Sequence, residues 1–193
     1  MGGFRVGSEQ YAAGDGSVGL ATLRCEHVEL RGNQAAFDFV AKGGLPRMMT
    51  VVDPDVVRAL RPLMGRPGQD LLAWRADGQW RDVRSQDIND YVRLVTGGEF
   101  TAKDFRTWRG TVVAASSLAR SGPRVTETSM RRAISEAMNQ VADVLGNTPS
   151  IARSAYVDPR VVDRYRAGQL IDRDGHSDES ALRALLRGSA ADG

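Results

Sequence analysis

Cysteine occurs once in the 193 residues, at Cys25, and histidine twice, at His27 and His176. A single thiol builds no internal disulfide framework, and these three side chains are too few for a protein-held zinc or iron site. Neither metal nor cofactor is therefore expected. Apolar runs of about 18 residues, the length that crosses a membrane, are also missing. The opening stretch MGGFRVGSEQ has no apolar core of the signal-peptide kind. A cytoplasmic chain with no membrane attachment is the expectation. Aromatic residues make up only 6 %, but 41 % hydrophobic and 26 % charged residues are ordinary for a globular chain. The length is enough to bury a sizeable core. Internal repeats and low-complexity tracts are missing too.

Lysine is the most informative scarcity. Of 26 basic residues 24 are arginine and two are lysine, Lys42 and Lys103. A GC-rich codon bias accounts for the arginine excess but not for the position of the two survivors. Arginine keeps its proton, whereas lysine can release one. A chain built on arginine is thus expected to retain lysine where a proton moves. The net charge of +2 says little about partners, but its distribution says more. Residues 101 to 132 carry seven cations against two carboxylates, and residues 172 to 193 carry five carboxylates against three cations. A basic middle and an acidic tail point to an anionic partner held by the middle.

The patterning predicts an α+β chain, mostly helical, with a small antiparallel sheet at the N-terminus and a helical body after it. Strands are expected within 18 to 41: Val18 to Arg24, entered by the turn Gly14-Asp15-Gly16, then His27 to Leu30 and Ala35 to Ala41. Lys42-Gly43-Gly44 ends this third strand in a flexible turn. Asp53-Pro54 starts a helix to about 64, closed by Pro62 and Gly65 to Gly68. Leu71 to Trp74 and Trp80 to Val83 can pair around Asp77-Gly78. Ser85 caps a helix to about Val95. From Thr101 the spacing is helical: one long helix to 120 and another over 127 to 145. Short ones open at Thr148-Pro149 and at Asp158-Pro159, and the last lies at 179 to 187. The helical body thus spans 54 to 168, a catalytic domain is expected over 1 to 168, and 169 to 193 reads as an acidic tail with a short helix.

Two stretches carry candidate chemistry. In LGNTPSIARSAY, Tyr156 follows Asn147 by nine residues, at the end of a short helix that carries Arg153. In KDFRTWR, Lys103 and Arg106 lie three apart and share a helical face, with Arg109 beyond them, while Phe105 and Trp108 can anchor the other face. A planar guanidinium beside an ammonium suits a phosphodiester. Taken alone, the first stretch reads as a half-buried core aromatic and the second as a solvated basic face.

The order Arg5, Lys42, Lys103-x-x-Arg106, Asn147, Tyr156 resembles the type IB DNA topoisomerases, in their poxvirus-like and bacterial branch. The resemblance runs from about residue 4 to 168 and includes RVGSEQYA, SVGLATLRCEHV, FDFVAKGG, TGGEFTAKDFRTWRGTV and LGNTPSIARSAYVDPRVVDRY. It implies the catalytic fold shared by type IB topoisomerases and tyrosine recombinases. It further implies Tyr156 as nucleophile, with Arg5, Lys42, Arg106 and Asn147 completing the active site. Lys103 matches the lysine of the family's Lys-x-x-Arg pair and is expected on DNA, as are Arg109 and Arg153. Poxvirus members have histidine where this chain has Asn147; bacterial members often have asparagine. Family members carry a further clamp domain before the Arg5 motif, where only four residues stand here. The expectation is a chain without that clamp, either excised or naturally short.

The groups support a mechanism. Two fixed guanidiniums and the Asn147 amide can neutralise the non-bridging oxygens as charge builds on them. Tyr156 attacks phosphorus, neighbouring cations favouring its oxyanion, and Lys42 protonates the leaving 5′ oxygen. Family resemblance makes the linkage a 3′-phosphotyrosyl one. Relaxation of supercoiled double-stranded DNA by a monomer, in a bacterial nucleoid and without ATP or metal, is the function this implies. A tyrosine recombinase or integrase catalytic domain is the near rival, although recombinases usually show His-x-x-Arg at 103 to 106 and swap helices between protomers. A catalytically silent DNA-binding module is the more distant one.

Overall fold

A computed structural model of the chain describes residues 3–7, 16–66 and 70–188. The chain forms two compact units, Met1–Lys103 and Asp104–Gly193.

The first unit is organised by a three-stranded antiparallel meander, β1 (Val28–Arg31), β2 (Gln34–Ala41) and β3 (Leu45–Val52), with β2 in the centre. Alternation along β2 puts Ala35, Phe37, Phe39 and Ala41 on the buried face. These pack with Leu23, Val57, Leu60 and Leu71. Helix α1 (Pro54–Leu60) starts where expected: Asp53 caps it by accepting from the Asp55 and Val56 amides, and Pro54 holds its first position. It is shorter than expected, because Arg61–Leu63 tightens into a 3₁₀ turn around Pro62. A two-residue turn at Asp77-Gly78, both at positive φ, joins β4 (Ala73–Ala76) to β5 (Gln79–Asp82). Helix α2 (Ser85–Thr96) ends at Gly97. Ser85 is its first helical residue rather than its cap; Arg84 stands at the cap, and its N–H donates to Asp87.

Two expectations about the sheet fail. Residues 18 to 24 are not a strand. Gly19 N–H donates to Thr22 Oγ1 at 3.0 Å, which closes a 3₁₀ turn at Leu20–Thr22. A second turn, Cys25–His27, follows, held by Arg24 N–H donating to His27 Nδ1. The third strand is instead Leu45–Val52, so Lys42 tops the hairpin between the second and third strands rather than the end of the sheet. Pro46 disguised that strand, yet β3 is an edge strand, where proline is tolerated. Of the expected turns, Gly14-Asp15 and residues 67 and 68 lie outside the described residues.

The second unit is helical: α3 (Ala102–Ser121, its first turn crossing the unit boundary), α4 (Glu127–Leu145), α5 (Pro149–Ala155), α6 (Pro159–Arg166) and α7 (Asp178–Arg187). Thr126, Thr148, Asp158 and Ser177 cap α4 to α7 through their side chains. One core runs through Val112, Leu118, Ile134, Val141, Leu145 and Val161. The segment after 168 belongs to it. Ile171, Ala181 and Leu182 are buried in the same cluster, and Leu182 is fully enclosed. Of its acidic residues, Asp172 and Asp174 are exposed, whereas Asp178 and Glu179 are half-buried.

Candidate active site

In the second unit the site is assembled on α3. Arg106 is 4 % exposed, although its spacing reads as a solvated face; Phe105, expected as an anchor, is an exposed residue instead. Trp108 does pack on the core, and the Arg183 guanidinium lies 5.6 Å over its ring. Burying the Arg106 charge requires compensation. Its Nη2 donates to the carbonyl of Leu145 at 2.9 Å. Leu145 is the last residue of α4, so that carbonyl is one the helix leaves without an internal partner, at the negative end of its dipole. The same guanidinium stands 5.0 Å from the centre of the Tyr156 ring, within cation–π range.

Asn147 reaches this end of α4 through its backbone. Gly146, at φ 62°, turns the chain out of the helix, and the amides of Gly146 and Asn147 both donate to Ala142 O. Asn147 and Tyr156 are half-buried at the two ends of α5. The second unit thus brings the Arg106 guanidinium to the Tyr156 ring and to the α4 terminus that Asn147 follows. Arg153 is exposed on α5. Arg109 is half-buried and lines, with Val112, Ser116, Asp143 and Asp178, a groove of about 400 Å³ between α3, α4 and α7.

Arg5, Lys42 and Lys103 belong to the first unit. Arg5 is placed by its backbone: Leu20 N–H donates to Arg5 O at 2.8 Å and Ala21 N–H to Val6 O at 2.7 Å. That pairing needs two glycines. A Cβ on Gly7 would lie 2.8 Å from the Gly19 Cα, and one on Gly19 would overlap the Gly7 backbone. Phe4 anchors the segment from the other side, edge-on to Phe37 at 4.9 Å and stacked on Phe39 at 5.9 Å. Lys42 is exposed at the hairpin tip, in a three-residue turn whose Gly43 and Gly44 take φ of 86° and 72°. Lys103 is exposed in the first turn of α3.

One cation went unnoticed in the sequence. Arg47 on β3 pairs opposite Phe39, on the face that carries the core, and is half-buried there. Burial first, and then the charge of Arg5, hold its guanidinium below the ordinary arginine range. Arg5 and Arg47 are thus two like charges close enough in the first unit to feel each other. The signal was an arginine in phase with the apolar positions of a strand, legible only once β3 is recognised as one.

Among the described residues no group of His, Cys, Asp or Glu side chains is arranged to hold a metal ion, and no helix is long and apolar enough to cross a membrane. A protein of Acanthamoeba polyphaga mimivirus called DNA topoisomerase 1B is 27 % identical to the chain over 192 residues, 95 % of this chain and 57 % of the viral protein. The chain therefore spans little more than half the length of that relative. A family model described as the catalytic core of eukaryotic DNA topoisomerase I matches residues 3–169. With that match covering most of its length, and with an arginine held at the end of α4 beside the tyrosine that ends α5, the chain belongs to the DNA topoisomerase I catalytic-core family.

Proposed function

We propose that the chain relaxes supercoiled double-stranded DNA, breaking and resealing one strand through a 3′-phosphotyrosyl bond to Tyr156, with no metal and no ATP. The observation that carries this reading is the buried Arg106 guanidinium, fixed on Leu145 O and 5.0 Å from the Tyr156 ring. A cation so fixed is preorganised for charge that develops beside the phenol, which is where catalysis of phosphoryl transfer gains most.

The roles follow from the groups. Tyr156 Oη attacks phosphorus while the bond to the 5′ oxygen breaks. Arg106, Arg5 and the Asn147 amide hold the non-bridging oxygens, and Arg47 adds a second guanidinium beside Arg5. Lys42, on its hairpin tip, gives a proton to the departing 5′ oxygen. Religation reverses each transfer, and the covalent bond conserves the energy for it. Lys103, Arg109 and Arg153 add positive charge for the phosphate backbone. The fold is read as the one shared by type IB topoisomerases and tyrosine recombinases.

The rival recombinase reading calls for helices exchanged between protomers. Here α7 fills the core of its own unit through Ala181 and Leu182, which favours a monomeric topoisomerase. A bacterial nucleoid as the site of action rests on the motifs alone, since the matching relative is viral.

The test is relaxation of a supercoiled plasmid in chelator without nucleotide, with a detergent quench to trap adducts. Wild-type protein should relax the plasmid and form adducts, and Tyr156→Phe should do neither while retaining its affinity for duplex. Adducts from the phenylalanine variant would overturn the assignment.

A further inference from the structure

Tyr156 stands at a junction. Helix α5 ends there, and the residue's φ of −134° and ψ of 5° take it out of the helix, three residues ahead of Pro159 and α6. A nucleophile on a linker moves with its backbone, so something must hold residues 156 to 158. Helix α3 does so at two adjacent positions.

Gly110 is buried in α3, one turn after Arg106 and on the same side of the helix. Its bare Cα faces the Tyr156 carbonyl. A Cβ here would overlap that carbonyl oxygen, and would lie 3.3 Å from the carbonyl carbon and 3.2 Å from Leu145 Cδ1. A mid-helix position disfavours glycine relative to alanine, so the close approach is what asks for it. Thr111, 2 % exposed, donates its hydroxyl to Thr107 O at 2.7 Å and accepts from the Asp158 amide at 3.1 Å. Three residues of one helix therefore meet the Tyr156 segment: Arg106 at the ring, Gly110 at the carbonyl, Thr111 two residues further on.

We propose that Gly110 and Thr111 are positioning residues for cleavage and religation, fixing the backbone of residues 156 to 158 against α3 so that the phenol and the Arg106 guanidinium are carried by one rigid element. This rests on the reading of Tyr156 as the nucleophile. Attack and reversal pass through the same transition state. A displaced backbone therefore slows both and leaves their ratio alone, and a misplacement of about 1 Å can cost about 10²-fold in rate.

The experiment compares Gly110→Ala, Thr111→Val and Thr111→Ser in the full chain. It measures single-turnover rate constants for cleavage and for religation of the trapped adduct, duplex affinity, and the folded fraction by circular dichroism. Gly110→Ala should lower both rate constants by about 10- to 10²-fold, with the cleavage–religation ratio and duplex affinity within about twofold of wild type. Thr111→Val should lower both about tenfold, the worth of one buried hydrogen bond, and Thr111→Ser should restore them. A reduced amplitude with wild-type rate constants shows a folding defect alone and overturns the proposal. So does a serine variant as slow as the valine one. If Gly110→Ala does not fold, the Thr111 pair decides. Failure of the underlying reading looks different, since adducts would then form in Tyr156→Phe or not at all in wild type.

Discussion

Arg106→Lys separates the geometry of a guanidinium from its charge. The site holds the cation at 4 % exposure, with one Nη2 donation to Leu145 O and the Tyr156 ring 5.0 Å away. A lysine keeps the positive charge and can reach the same carbonyl, so the fold should lose little. What it loses is the planar fork, which can serve the carbonyl and a phosphate oxygen together. Removing one preorganised donor to a transition-state oxygen costs about 2.7–4 kcal/mol, or about 10²–10³ in rate. Arg106→Ala should show that loss and a second one. With its donor gone, the buried Leu145 carbonyl costs about 1–3 kcal/mol of stability. Single-turnover adduct formation at saturating protein measures the first quantity and a thermal melt the second. The lysine variant should be slow and stable, the alanine variant slow and less stable. A lysine variant that cleaves within about threefold of wild type would refute the argument, because charge alone would then suffice.

Lys42→Ala should slow cleavage by about 10²–10⁴-fold, as loss of a general acid does, and a substrate with sulfur at the leaving 5′ position should recover most of it; no recovery would mean a purely electrostatic lysine. Arg47→Ala should weaken duplex binding and reduce the salt slope of log K by about 0.9, the contribution of one neutralised phosphate, and an unchanged slope would remove Arg47 from the interface. Two depressed carboxyls contribute to stability that is lost in acid. The Arg160 side chain donates to Asp158, and the Ser116 hydroxyl, followed by Arg173, donates to Asp178, so both stay ionised below the ordinary aspartate range. Their contribution is fully present above the unfolded-chain value, near 3.8, and disappears as pH falls through the lower folded values. Below about pH 4 the wild-type melting temperature should therefore fall more steeply than that of a joint Asp158→Asn, Asp178→Asn variant, and a variant that declined as steeply would disprove the assignment.

What could be read from the sequence is what is locally determined. Asp53-Pro54, Thr148-Pro149 and Asp158-Pro159 are cap-and-proline pairs, and each opens its helix where expected. The spacing from Asn147 to Tyr156 spans α5 because a capped helix has a fixed rise. Tertiary choices were less legible. Val18 to Arg24 has strand composition, but the Thr22 hydroxyl offers Gly19 a local partner, and the turn wins. Residues 45 to 52 hide a strand behind a proline. Arg106 is written like a surface charge, and the carbonyl of Leu145 that it meets when buried lies 39 residues away in the sequence. The second half of α7 is apolar enough to be core, yet the acids around it make the whole segment read as a tail.

The close approach of the Gly7 and Gly19 backbones has a consequence for how this chain can vary. Arg5 is placed by a backbone pairing that exists because two residues have no side chain. Every missense change of a glycine codon adds at least one carbon. At either position that carbon has nowhere to go except between the two stretches of backbone, which must then part and carry the Arg5 guanidinium with them. A lineage could keep every charged residue of the site and still be disarmed by a methyl group at position 7 or 19. The mutational target of the proposed site is therefore larger than its set of charged residues, and part of it is made of missing atoms.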